Sequence, residues 1–187
     1  MYKSMRSLCI LALLVTIGGA AVFAATPKIE GTPVPMRSKP DFSSFAFLIG
    51  TWQCVEESSR RPRPFNVTQV YSMDSSGYWL IREETTHKAS WIPRELKSEA
   101  KFTWDGPAKH WVRIVTGDLG GYSVATAPAA GSGTIAYTYV IQAKQPDVAS
   151  YAPEVYHKVS DTKKTMTTSF TETNGRIVNV KETCTKA

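Results

Sequence analysis

The sequence predicts an all-β protein: a single antiparallel up-and-down β-barrel of eight to ten strands with a short N-terminal helical turn. Short runs rich in β-branched and aromatic residues alternate between apolar and polar positions, as at Ile135, Tyr137 and Tyr139. This period of two, without a long helical pattern, is typical of antiparallel sheet with one buried face. Turn signals such as Asn174-Gly175 separate the runs at spacings typical of a sandwich or a barrel.

Residues 1–24 have the features of a secretory signal peptide. Lys3 and Arg6 precede an apolar stretch, and Val22-Phe23-Ala24 provides the residues that a signal peptidase recognises. We expect cleavage after Ala24, because the glycines and alanines of this segment are not typical of a retained membrane anchor. The mature protein is therefore predicted to be secreted or periplasmic, with no membrane span.

Residues 25–40 contain four prolines and predict an extended linker, which leaves 41–187 as the barrel domain. Removal of Lys3 and Arg6 lowers the basic count from 22 to 20 against 16 acidic residues, so the mature chain has a net charge of +4. This small and evenly spread charge argues against nucleic acid as a partner. Arg60-Arg61-Pro62-Arg63 is a basic cluster typical of a solvated loop.

The predicted elements follow one another from residue 41 onward. Asp41-Phe42-Ser43-Ser44 offers a cap for one helical turn through Phe45–Leu48. The strand-like runs that follow are 50–57, 65–73, 78–87, 99–105, 109–116, 120–127, 134–142, 154–160, 164–173 and 176–184.

Two cysteines remain after cleavage, and they suggest how the barrel closes. In an oxidising compartment Cys54 and Cys184 favour one disulfide. In an up-and-down barrel with an even number of strands the first and last strands pair antiparallel, so this disulfide would hold the closing seam.

The same register has one favourable and one unfavourable charge pair. It places Glu57 opposite Lys181, which is favourable, and Glu56 opposite Glu182, which is not. An offset or a bulge in the seam therefore stays open as an alternative to the simple register.

The opening Phe45-x-x-Leu48-x-Gly50-x-Trp52 resembles the start of the calycin barrels, which include lipocalins, fatty-acid-binding proteins and nitrobindin-like domains. It resembles more closely a family of small exported bacterial proteins of unknown function. The Trp104-Asp105-Gly106 hairpin before an aromatic strand is also similar, and the resemblance spans about 42–187. The chain departs from lipocalins in having no mid-chain Thr-Asp-Tyr run.

The resemblance implies structural roles for the opening residues. Gly50 allows a tight turn into the first strand, and Trp52 plugs the closed end of the barrel. A cation from the last strand would cover the Trp52 ring; Arg176 and Lys186 are the candidates, and the cysteine register favours Lys186. Gly50, Trp52, both cysteines and Lys186 are therefore predicted to be structural.

A barrel of this size has an interior wide enough for one small ligand. The candidate cavity lining is Trp79, Arg82, Phe102, Trp111, Arg113, Tyr137 and Tyr139. For the two arginines an internal salt bridge, with Glu84 as one candidate partner, is favoured over a ligand carboxylate. Trp91 lies in the longest mid-chain loop and is expected at a lip or an exposed contact.

No catalytic residue, metal site or cofactor is predicted. His87, His110 and His157 lack the spacing of zinc ligands, and Glu83-Glu84 face opposite sides of a strand instead of forming an acid–base pair. His157 is the best placed axial ligand for a haem, but a lone strand histidine is more typical of a surface or hydrogen-bonded residue.

The sequence thus predicts an exported, non-catalytic protein that binds a small apolar or amphipathic molecule in a barrel cavity. The alternative is a barrel filled by its own side chains that binds a protein or envelope partner through surface loops. Neither the ligand nor the oligomeric state follows from the sequence.

Overall fold

In a computed structural model of the protein the strands close into one antiparallel β-barrel, which confirms the predicted fold class. The structure describes residues 37–129, 133–143 and 145–187. The predicted signal peptide and linker residues 25–36 lie outside the described residues, and 37–40 have no regular secondary structure. None of the helices formed by the described residues is long and apolar enough to cross a membrane.

A 3-10 helix, Ser43–Leu48, precedes eleven strands in the described part of the chain. The strands are β1 (Gly50–Ser58), β2 (Phe65–Met73), β3 (Leu80–Thr86), β4 (Leu96–Asp105), β5 (His110–Gly117), β6 (Tyr122–Ala127), β7 (Thr134–Gln142), β8 (Val148–Tyr151), β9 (Glu154–Ser160), β10 (Lys163–Glu172) and β11 (Ile177–Lys186). All ten predicted runs contain a strand, but β4 begins earlier than expected and β8 was not predicted.

The barrel has ten strand positions because β8 and β9 share one of them. Successive strands from β1 to β7 pair with each other, β7 pairs with β9, and β10, β11 and β1 complete the ring. Tyr151 of β8 lies opposite Phe170, and Val155 of β9 lies opposite Thr167, so both strands pair with β10. Pro153 lies between them and has no N–H group to donate, which interrupts the ladder.

The closing seam has the simple register. β1 and β11 pair without a bulge from Trp52 to Ser58, with Cys54 opposite Cys184 and Glu57 opposite Lys181. The two cysteines are joined in a disulfide, and both are almost completely buried inside the barrel. The covalent bond therefore links the first and last strands of the ring.

The like-charged pair does not shift this register. Glu56 lies opposite Glu182, and both side chains face the interior, in step with the cysteines. The offset that the sequence left open is absent from the described seam, so another mechanism must relieve the repulsion between the two carboxyl groups.

The 3-10 helix covers one end of the barrel, here called the closed end. Trp52 is fully buried there, and its indole N–H donates a hydrogen bond of 2.7 Å to the Leu48 carbonyl oxygen. The Lys186 ammonium donates to the Phe47 carbonyl oxygen at 3.0 Å and lies 5.4 Å from the Trp52 ring centroid. Gly50 has a φ of 117°, and a Cβ there would lie 3.1 Å from Lys186 Cε, which explains the glycine.

We expect the seam disulfide to contribute substantially to stability. Replacement of both Cys54 and Cys184 by alanine should lower the free energy of unfolding by about 3–5 kcal/mol, because the bond closes a long loop in the unfolded chain. Urea denaturation of the oxidised protein and the double variant measures this difference. Equal midpoints and slopes for the two proteins would contradict the prediction.

Candidate ligand-binding site

Three of the predicted cavity residues, Phe102, Trp111 and Tyr137, pack tightly in the closed half of the barrel. The Trp111 ring centroid lies 4.6 Å from that of Phe45 in the 3-10 helix, and Phe102 lies 5.9 Å from Tyr137. The cavity beside Phe102 and Tyr137 has a volume of about 30 Å³, enough for roughly one water molecule. This half of the barrel is therefore filled by its own side chains.

Trp79 occupies a different place from the one predicted. It lies in the turn between β2 and β3. There its backbone N–H donates to Asp74 Oδ1 at 3.0 Å, and its backbone carbonyl oxygen accepts from the Asp74 backbone N–H at 2.9 Å. The next residue, Leu80, is fully buried and begins the inward-facing set of β3. Trp79 therefore precedes the strand and is out of step with the interior wall.

Arg113 and Tyr139, two further predicted residues, meet Glu154 at the centre of the barrel. Arg113 forms an ion pair with Glu154, and Tyr139 donates a hydrogen bond to the same carboxylate. The Tyr156 hydroxyl accepts from Arg113 at 3.0 Å and donates to Glu154 at 3.0 Å. Burial alone raises the pKa of Glu154, but Arg113 and Tyr139 outweigh it and lower the pKa to about 2.

Arg82 forms the second internal ion pair, and its partner is the one that the sequence suggested. Its guanidinium lies 3.3 Å from Glu84 Oε2, and it donates to the Tyr156 hydroxyl at 3.3 Å. The arrangement of both arginines fits the salt-bridge interpretation, because each pairs with a carboxylate of the barrel itself.

Lys164, Gln69 and Glu182 link this centre to the seam. The buried Lys164 ammonium donates to Gln69 Oε1 at 2.5 Å and to the Tyr71 hydroxyl at 3.3 Å, and lies 4.0 Å from Glu182. The Gln69 amide nitrogen donates to Glu182 at 3.0 Å and to Glu84 at 2.9 Å. One amide therefore joins the lysine and two acids in a single hydrogen-bonded network.

The open end of the barrel, opposite the 3-10 helix, holds a pocket of about 540 Å³ that we call the cup. Its wall includes the inward side chains Glu56, Phe65, Thr86, Leu96, Phe170 and Val180. Its rim includes the loop residues Arg60, Arg61, Trp91, Ile92, Arg94 and Leu119. Pockets of this volume with mixed apolar and polar walls are typical of small-molecule sites.

Aromatic rings form one side of the cup. The Trp91 ring lies edge-on to Phe65 with a centroid distance of 6.4 Å, as expected for a residue at a lip. Its indole N–H is buried and has no hydrogen-bond partner among the described residues. A ligand acceptor in the cup is one group that could satisfy this donor.

Glu56 supplies the acidic group of the cup wall. Its carboxyl group makes no hydrogen bond or ion pair with the side chains that the structure describes. Burial raises its pKa first, the nearby Glu182, Glu84 and Glu154 raise it further, and Arg82 lowers it; the resulting pKa is about 8. Glu56 therefore carries a proton at neutral pH, which relieves its repulsion with Glu182 in the seam.

Several interior polar residues were missed by the sequence analysis: Gln69, Glu154, Tyr156, Lys164 and Glu182. A signal for two of them was present. The alternation of Met166 and Phe170 extends back to Lys164, and Glu182 lies two residues before Cys184 on the same face. The cup itself had no comparable signal beyond Trp91.

The surroundings of His157 and of the two cysteines bear on the binding of a haem or a metal ion. His157 lies on the exposed outer face of β9, where its Nδ1 is 3.0 Å from Thr134 Oγ1. Among the described residues one group has metal-ligand atoms close together, and it combines Glu182 with the two sulfurs of the Cys54–Cys184 disulfide. The absence of a haem or a metal stays a prediction.

No protein-family model matches the sequence, and no curated protein matches it. The structure is similar to that of a protein of unknown function from the DUF3598 family of Nostoc punctiforme PCC 73102, with 16% identity and a TM-score of 0.48. That similarity covers 84% of this chain and 53% of the other, so this chain spans about half the length of that protein. A de novo designed fluorescence-activating beta barrel is 11% identical with a TM-score of 0.36, over 75% of this chain and 94% of the design. At these TM-scores neither similarity indicates what this chain binds.

The raised pKa of Glu56 predicts a specific dependence of stability on pH. The folded protein holds this proton up to a pH of about 8, whereas the unfolded chain loses it near 4.5, so stability falls as the pH rises between these values. Between pH 6 and pH 8 wild type should lose on the order of 2 kcal/mol relative to Glu56→Gln.

Urea denaturation of both proteins at the two pH values measures the difference. Glu57→Gln, on the outer face of the same strand, is the matched control and should track wild type. A constant stability gap between wild type and Glu56→Gln across this range would show that Glu56 ionises normally.

Proposed function

We propose that the protein is an exported binding protein that holds a small apolar or amphipathic molecule in the cup, without catalysing a reaction on it. The observation that carries this proposal is the cup of about 540 Å³ at the open end, in which aromatic and aliphatic side chains lie beside nearly as many polar and charged ones. The ionisable groups beneath it favour binding over catalysis, because Arg82 and Arg113 are each paired with a barrel carboxylate.

The proposed ligand lies nearer the open end than the sequence suggested. Phe102, Trp111 and Tyr137 fill the closed half, where the remaining cavity is about 30 Å³. Arg82 and Arg113 lie in the polar layer between this half and the cup. In this proposal they support the cup from below instead of contacting the ligand.

We further propose that the protein is exported to an oxidising compartment and that its barrel is related to the calycins. Export to an oxidising compartment is supported by the predicted signal peptide and by the Cys54–Cys184 disulfide. A calycin-like relationship is supported by Gly50 and Trp52 beneath the 3-10 helix, with Lys186 against the Trp52 ring.

A surface on the outside of the barrel favours a second candidate function, the binding of a protein or envelope partner. Ile114, Val124 and Ile141 are cross-strand neighbours on the outer face of β5, β6 and β7. Ile141 is 52% exposed and its neighbour Val140 is 63% exposed. A continuous apolar strip of this kind is a feature of interaction surfaces.

Binding of a neutral apolar dye tests the first proposal. N-phenyl-1-naphthylamine should bind the mature domain with a rise in fluorescence, and Val180→Trp should weaken its binding by about tenfold or more because the larger ring occupies the cup. Lys181→Trp adds the same ring to the outer face of β11 and should leave the affinity unchanged.

Circular dichroism establishes that both variants are folded. Equal dye affinity in Val180→Trp and Lys181→Trp would place the dye outside the cup and contradict the proposal. Failure of wild type to bind the dye would favour a self-filled barrel that acts through its surface.

A further inference from the structure

Acidic and basic side chains form one cluster near the centre of the described barrel interior. Four carboxyl groups face inward near its centre and open end, together with three basic side chains: Glu56, Glu84, Glu154 and Glu182 with Arg82, Arg113 and Lys164. Because charges buried away from water require partners, the pairing of these groups decides where a ligand charge would be accepted.

Each base has its own acid. Arg82 lies 3.3 Å from Glu84, Arg113 pairs with Glu154, and Lys164 lies 4.0 Å from Glu182. Glu182 also accepts two hydrogen bonds from the Gln69 amide nitrogen, at 3.0 and 3.1 Å. Glu84, Glu154 and Glu182 therefore each have a cation or an amide donor within the barrel.

Glu56 is the carboxyl group that remains, and it borders the cup. The charged groups that act on it are Glu182 from β11, Glu84 and Arg82 from β3, and Glu154 from β9. Each of the three acids is itself paired with a base, so it is the carboxyl group of Glu56, without such a partner, that favours a donor or a cation beside it.

Three arginines border the cup: Arg61 is exposed to solvent, which screens its charge, and the other two are already paired with acids. Arg60 forms ion pairs with Asp147 and Glu172, and Arg94 lies 2.6 Å from Asp118. Their positive charge is balanced at the rim itself, in exposed or half-exposed positions where salt screens it further.

The walls of the cup suit the apolar part of such a ligand. Phe65 and Trp91 are in edge-on contact, and Phe170 contributes a third ring to the cup. Aromatic faces also attract cations, so these rings favour a protonated amine over an anion.

We propose that the cup binds a small amphipathic cation, with a protonated amine beside Glu56 and an apolar body against Phe65, Trp91 and Phe170. This inference rests on the proposed function, since it names the chemical class of the molecule held in the cup. Binding converts the Glu56 carboxylic acid to a carboxylate: its O–H bond breaks, the proton passes to solvent, and the ammonium keeps all of its own protons. Because the pKa of Glu56 is raised, the proton is present at neutral pH, and its release opposes binding until the ammonium–carboxylate interaction outweighs it.

Three naphthalene compounds of similar size but different charge test the inference by isothermal titration calorimetry at pH 7. They are 1-naphthylmethylamine, 1-naphthylmethanol and 1-naphthylacetate. The amine should bind about tenfold or more tightly than the alcohol, and the carboxylate should bind most weakly. Titrations in two buffers of different ionisation enthalpy should show about one proton released for each amine bound and none for each alcohol.

Two variants locate the effect. Glu56→Gln should bring the amine to the affinity of the alcohol and abolish proton release, with the affinity for the alcohol unchanged. Glu57→Gln, on the outer face, should behave as wild type. Because proton release is measured in wild type, the inference remains testable even if Glu56→Gln is unstable.

The outcomes separate this inference from the function on which it rests. If the alcohol binds as tightly as the amine, or the carboxylate binds best, the charge preference is wrong while the cup remains a binding site. If none of the three compounds binds, both the inference and the proposed function are wrong.

Discussion

The pairing of β1 with β11 is the constraint on which the rest of the structure depends. It closes the sheet, and because successive side chains in a strand alternate between faces, it also decides which residues enter the barrel. Cys54, Glu56, Glu182 and Cys184 enter together. A slip of one residue would reverse the facing of one of the two strands, so that one acid would turn outward, but it would also separate the cysteines.

The consequence of this pairing is a barrel whose interior changes character along its axis. Aromatic rings and Trp52 fill the closed end, a network of ion pairs and hydrogen bonds crosses the centre, and the cup opens beyond it. Buried charges are costly unless they are paired and hydrogen-bonded, and Gln69 meets this requirement by contacting both Lys164 and Glu182. The network therefore forms a defined floor beneath the cup, with Glu56 as the acid that has no internal partner.

Much of the fold could be predicted from local patterns, because alternation, turn signals and the cysteine pair all act through backbone geometry that is independent of distant contacts. The same patterns failed where distant contacts decide. Pro153 splits one strand position into β8 and β9, and the Asp74 turn removes Trp79 from the strand that it was expected to begin. The sequence correctly predicted that Arg113 needs an anionic partner. It did not identify Glu154, because this residue lies on another strand and directly follows Pro153, which interrupts the alternation of inward and outward side chains.

The candidate site was harder to predict than the fold. The rim of the cup is formed by loops whose positions depend on pairs far apart in the chain, such as Arg60 with Asp147. The protonation state of Glu56 depends on acids from three other strands, whose positions the sequence does not give. The sequence therefore showed only an unfavourable pair with Glu182, for which a shifted register was one solution. The structure keeps the register and relieves the repulsion with a proton, which no local pattern records.

The most direct test of this central claim is a titration of the Glu56 carboxyl carbon by carbon-13 NMR, with Glu56→Gln used to assign its signal. The closed seam and the acidic surroundings predict a pKa of about 8 for Glu56 in the folded protein. A pKa close to that of an ordinary glutamate would contradict it, because Glu56 would then be ionised at neutral pH and could not be the protonated acid that closure of the barrel creates.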